Sequence, residues 1–143
     1  MPPLELEDYV IIKVKCEANP NCPSDVDDIT KPKVKVENEL RTKKDQKNNF
    51  LSRLTIFFGS EDELCSYFGE ITLMGIFTTR DDIPDTEKRD HVGVTGNSML
   101  FSAARDFILT ITSRGPNPSM VLPTIRFLKQ REENNEETEG TED

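Results

Sequence analysis

NSMLFSAARDFILTITSRGPNPSMVLPTIRF, residues 97–127, is the stretch whose reading decides the fold. Its first half repeats like a helix. At 100° per residue Leu100, Ala104, Phe107 and Ile111 fall on one line, Met99 and Ala103 widen that face one way, and Phe101 and Ile108 widen it the other. The apolar arc is roughly 200° wide, against about 100° for an ordinary surface helix. One sheet cannot cover so broad an arc. A second partner is therefore expected, either another helix or another copy of the chain. Asn97 or Ser98 is placed to cap the start, because its side-chain oxygen can accept from a free N–H of the first turn. Gly115 offers a left-handed residue to end the helix, and Pro116 forbids continuation. The rest of the stretch, with Pro118 and Pro123 dividing short apolar pieces, reads as an extended segment leading at most into a short last helix.

Upstream of this helix the periodicity changes to two. Residues 6–18 read as a first strand, with Val10, Ile12, Val14 and Cys16 on an apolar face. Residues 19–32 hold three prolines and repeated Asx residues, which predicts a long irregular connection. In a second strand Val34, Val36, Asn38 and Leu40 alternate with Lys33, Lys35, Glu37, Glu39 and Arg41, the pattern of a half-solvated antiparallel strand. A third strand, about 49–58, puts Phe50, Leu54, Ile56 and Phe58 inward. A fourth, about 64–78, is interrupted by Gly69 and Gly75, which predicts a bulge or a close backbone approach. A charged connection, 80–96, carries at most a helical turn near Glu87–His91. Strands first and helix later make the chain α+β, with helical structure on one face of an antiparallel sheet.

Length and charge set the outer bounds. The 143 residues fit one domain, expected over 1–130. The net charge of −9 is uneven: Glu132–Asp143 holds seven acidic residues and no basic one, and the remainder of the chain carries −2. Residues 131–143 are expected to be a disordered acidic tail, dispensable for binding. No apolar run approaches the ~20 residues of a membrane helix, and the N-terminus has no signal-peptide pattern, so a cytoplasmic location without membrane insertion is expected. The three cysteines form no Cys-x-x-Cys pair and are expected to be reduced.

Catalytic constellations are scarce. There is no nucleophile elbow, phosphate loop or glycine-rich fingerprint, and a single histidine, His91, makes a triad or a structural zinc site improbable. Asp27-Asp28 and Asp81-Asp82 lack the spacing of a calcium loop. Arg105 borders the apolar arc and is assigned a structural hydrogen bond. Lys31, Lys33, Lys35, Arg41, Lys43, Lys44 and Lys47 form a basic stretch, but acids interrupt it and aromatics do not interleave it, which argues against nucleic acid. The pattern points to a binding protein, not an enzyme, with no metal and no cofactor.

Met99 to Asp106, then Ser113-Arg114-Gly115, then Pro118, Leu122 and Phe127, resemble the C-terminal half of the bacterial SecB export chaperones. Glu70-Ile71 and Gly75-Ile76-Phe77 are similar to that family's fourth strand, Glu17-Ala18-Asn19 to the end of its first, and Pro32-Lys33-Val34 to the start of its second. The similarity covers about residues 9–128. It departs from the family where Asn97 and Ser102 replace helix prolines and where Phe127-Leu128 runs into charged residues. The resemblance implies a four-stranded antiparallel sheet with one long helix and a short C-terminal helical piece packed on one face. It implies a homotetramer, a dimer of dimers, in which first strands pair through Val10 and Ile12 and long helices stack through Met99, Phe101 and Ile108. It implies an ATP-independent chaperone of the bacterial cytoplasm that holds unfolded or precursor proteins for export. Candidate client-binding residues are Val34, Val36, Leu40, Phe50, Leu73, Met120 and Leu122. Glu17 and Glu70 match acidic positions at which the family docks the motor ATPase SecA, while Lys13 stands where a further acid belongs. The alternative is a SecB-like chaperone dedicated to one client, such as an antitoxin, without SecA docking.

Overall fold

The structure, a computed structural model, describes residues 2–43 and 45–128, with Lys43 described by its backbone alone. Four long strands, β1 (Leu4–Ala18), β2 (Val34–Lys43), β3 (Gln46–Phe58) and β4 (Tyr67–Thr79), form one antiparallel sheet in the order β1-β4-β3-β2. β2 to β4 follow the predicted alternation. Val36, Leu54, Ile56, Phe58, Ile71, Leu73 and Phe77 point to one face and are buried. On the other face Lys35 pairs with Phe57, Glu39 with Arg53, and Arg53 with Met74.

β1 departs from simple alternation. Register shifts between Leu6 and Asp8 and between Ile11 and Lys13 each insert one extra residue against β4. They break the row that Val10, Ile12, Val14 and Cys16 make on paper. Val10 lies opposite Met74 on the outer face, Ile12 falls in the second shift, and Val14 lies opposite the core residue Ile71. Val10, Ile12 and Val14 are all exposed. At Gly69 the strands come too close for a side chain: a Cβ there would lie 1.8 Å from the Lys15 carbonyl oxygen.

The helical layer is longer than the sequence suggests. α1 (Asp85–His91) passes through one π turn (Val92–Gly96) into α2 (Asn97–Thr112) without a break. Asn97 is therefore not a cap. Its side chain donates back to the Gly93 carbonyl at 3.1 Å and accepts from the Ser52 hydroxyl at 2.7 Å, and the Ser98 hydroxyl donates to the Val94 carbonyl at 2.7 Å. Gly93 and Gly96 sit inside the helical path. The buried Lys88 ties α1 to β3, its ammonium donating to Asn48 Oδ1 at 2.6 Å and lying 3.2 Å from Asp85.

α2 ends at Thr112 without a left-handed glycine: Gly115 has no positive φ. Gly115 is needed for space, since a Cβ would sit 2.0 Å from the Tyr67 hydroxyl. Residues 119–128 have no regular secondary structure, so no C-terminal helical piece is found among the described residues. The predicted tail, 131–143, lies outside them.

Candidate functional site

Residues 116–128, here called the strap, decide what the helix packs against. The strap turns back along α2. Asn117 lies at Tyr67, whose hydroxyl accepts from the Asn117 N–H at 3.0 Å. The Asn117 amide donates to the carbonyls of Ser66 at 2.8 Å and Asn19 at 3.1 Å. Asn19 is itself buried and donates to the carbonyls of Glu63 and Cys65. Further on, the Met120 N–H donates to the Thr112 hydroxyl at 3.0 Å, and Arg105 Nε donates to the Leu122 carbonyl at 2.9 Å. The strap ends with Phe127 edge-on to Phe101, ring centroids 6.2 Å apart. Each of these contacts uses a side chain of the strap or of the body, and none is a sheet ladder.

This path accounts for the broad apolar arc. Phe101 and Ile108 were expected at a subunit interface, yet they are 4% and 0% exposed within a single protomer. The sheet covers one side of the arc, and the chain's own strap covers the other. Met99, by contrast, is 37% exposed. Among the client-binding candidates, Val36, Phe50, Leu73, Met120 and Leu122 are buried in the protomer core. Their side chains offer no area to a client while the strap is in place. Val34 and Leu40 are half-buried on β2. The sequence pattern marks inward rows correctly, but it does not tell a groove from a core, because both are apolar.

Both ends of the sheet are open. β1 and β2 each have one neighbour, β4 and β3 respectively. The 15-residue β1 exposes Tyr9, Val10, Ile12 and Val14, and Ile76 beside it on β4 is also exposed. An edge of that length and apolarity is a template for pairing with another chain. β2 presents Lys35, Glu37, Glu39 and Arg41 instead, with Lys33 exposed just before it. Arg41 donates to the Glu39 carboxylate, and this hydrogen bond, with the neighbouring guanidinium charge, holds Glu39 below the usual carboxylate range. Arg41, Glu39, Arg53, Leu51 and Met74 line a shallow depression on the outer face.

The two acidic candidates lie on that same outer face at the far side of the sheet. Glu17 is opposite Phe68, and Glu70 is opposite Lys15. Lys13 reaches Glu70 at 3.0 Å and offsets its charge. Among the described residues no cluster of histidine, cysteine and carboxylate side chains is close enough to hold a metal. Burial raises the pKa of the Cys16 and Cys65 thiols, so neither is an activated nucleophile. Among the described residues no helix is long and apolar enough to cross a membrane.

The sequence resemblance is matched by family comparison. A family model described as preprotein translocase subunit SecB matches residues 5–137. The chain belongs to the SecB family. Among solved structures, this SecB chain is similar to the Mycobacterium tuberculosis Rv1957 SecB-like chaperone, solved in complex with a ChAD peptide from the Rv1956 HigA1 antitoxin. The match has a TM-score of 0.68 at 13% identity, and it covers 86% of this chain and 91% of that one. At that identity it establishes a shared fold.

Arg105 was assigned a structural bond, and it makes one. Tyr67 and Asn117 were missed. Tyr67 stands in the inward row of β4 two residues before Gly69, and that position is the only sequence signal for it.

Proposed function

We propose that this SecB-family chain is an ATP-independent chaperone of the bacterial cytoplasm. It binds unfolded or precursor proteins along apolar grooves and keeps them competent for export. The observation that carries this reading is the strap: a large apolar surface on α2 and the sheet is closed by an irregular segment held through a few side-chain bonds. A client segment of similar apolar character can take the place that Met120, Leu122 and Phe127 of the strap hold against the body, covering Phe101 at about 25 cal/mol per Å². Val34 and Leu40 flank the same route on an edge where main-chain pairing is open. The working form is a homotetramer. Val10 and Ile12 on β1 and Met99 on α2 supply its contacts, while Phe101 and Ile108 support them from within the protomer.

Suppression of aggregation of a chemically unfolded protein, without nucleotide, tests the reading. Suppression near one client per assembly supports it. An assembly that leaves the aggregation rate unchanged refutes it.

A second reading assigns one dedicated client, such as an antitoxin, and no SecA docking. The Lys13–Glu70 ion pair favours it, because it offsets one of the two carboxylates that SecA would need. Binding of SecA to the purified assembly, abolished by Glu17→Lys and Glu70→Lys together, would favour export. Absence of binding at tens of micromolar would favour the dedicated client.

A further inference from the structure

We propose that the outer face of the sheet docks on the same face of a second copy of this chain, about a two-fold axis that runs along the strands. The contact follows from strand register and charge, and it stands apart from the chaperone reading above.

Strand pairing sets the outer face out in rows of four, read from β2 through β3 and β4 to β1. One row is Arg41, Leu51, Ile76 and Asp8. The next is Glu39, Arg53, Met74 and Val10, and the third is Glu37, Thr55, Thr72 and Lys13. The first row is positive at β2 and negative at β1, and the third is the reverse. All four of these end residues are exposed. Between them lies an apolar middle. Ile76 is 46% exposed, and Leu51 and Met74 are half-buried, both lining the shallow depression. The row beyond, from Lys35 to Lys15, has lysine at both ends, so complementarity stops there.

A half-turn about an axis between β3 and β4 lays each row on its own copy in reverse order. Arg41 then meets the second copy's Asp8, and Lys13 meets its Glu37. Ile76 lies on Leu51, and Met74 lies on the apolar stem of Arg53. Each contact occurs twice. The angle of about 30° between packed sheets displaces the outer strands by about 4 Å, within reach of arginine and lysine side chains. A crosswise axis also pairs opposite charges at the corners, but it sets Arg53 on Arg53, Glu39 on Glu39 and Ile76 on Thr72. Within the protomer Arg41 keeps Glu39 and Lys13 keeps Glu70, so the pairs between copies add orientation and the apolar middle adds most of the hold. The three rows and their margins cover about 400 Å², half of what one partner buries in a standard interface, so the contact is weak and reversible. The β1 edge and α2 lie off this face, so the contact is compatible with the homotetramer proposed above.

Sedimentation velocity on the full chain at physiological salt, where the screening length is about 8 Å, tests the contact. The mass of the parent should rise between micromolar and millimolar concentration. Arg41→Asp should raise the dissociation constant about tenfold, the size expected when two exposed ion pairs become repulsions. Adding Asp8→Arg should restore it. The two positions are three strand spacings apart in one protomer, about 14 Å, so the repair acts between copies. Adding Glu61→Arg instead gives the same net charge at an exposed site off this face and should restore nothing. Ile76→Lys should remove the association while circular dichroism holds. A parent of one mass at every concentration overturns the proposal and leaves the face to a different protein. A double variant no tighter than Arg41→Asp alone overturns it too. Equal rescue by Glu61→Arg also overturns it, because net charge would then be the whole effect.

Discussion

β1 and β2 close the same sheet at opposite sides, and they expose different chemistry. β1 is long, shifts register twice against β4, and shows Tyr9, Val10, Ile12 and Val14. β2 pairs regularly with β3 from Val34 to Thr42 and shows lysine, arginine and glutamate. Both leave backbone donors and acceptors unpaired. An apolar open edge is stable in water only when another chain covers it, whereas a charged edge stays soluble when bare. In the assembly proposed above, this difference suits β1 to permanent contacts between subunits and β2 to contacts that come and go.

The sharpest way to break this division is at β1. Val10→Asp with Ile12→Asp should reduce the proposed tetramer to species near the 16.3 kDa protomer mass by light scattering. The circular dichroism of the protomer should hold, because both side chains are outside its core. An intact tetramer would move the β1 edge out of the interface. Next in size is the strap. Leu122→Ala removes a side chain that is 0% exposed and should cost about 2–5 kcal/mol in chemical denaturation. A loss below about 0.5 kcal/mol would mean that Leu122 lies in an open groove and not in the core.

A smaller effect belongs to β2. Leu40→Ser should weaken apolar client peptides by about five- to thirtyfold, the equivalent of roughly 1–2 kcal/mol, while melting shifts little, since the residue is only half-buried. Loss of stability without loss of affinity would make Leu40 core. The smallest effect is at Arg41. It holds the Glu39 pKa down, so the pair's contribution is present above the ordinary carboxylate pKa and is lost as pH falls through the lowered folded value. Arg41→Ala should return Glu39 to the ordinary range in an NMR titration. No change would mean that another cation holds it.

Read from residues alone, α+β class, four strands and the helix faces were legible because alternation and 3.6-residue periodicity are local properties of the chain. Val34, Val36 and Leu40 on β2, and Leu54, Ile56 and Phe58 on β3, face where their pattern puts them. SecB membership was legible too, through the order and spacing of short motifs across most of the chain.

What covers each apolar face was decided only in three dimensions. The α2 arc is broad for a reason the periodicity cannot state: Phe101 meets Phe127, which lies 26 positions along the chain, and Ile108 is closed off within the same protomer. A pattern of apolar residues records that a surface must leave water, but not which surface removes it. The β1 row failed in the same way, because two register shifts against β4 moved Val10 and Ile12 away from the core. Gly115 gave a further instance, conserving space for the Tyr67 hydroxyl instead of supplying a left-handed turn. Periodicity along the chain determined which faces are apolar, and contacts between distant residues determined which of those faces stay open.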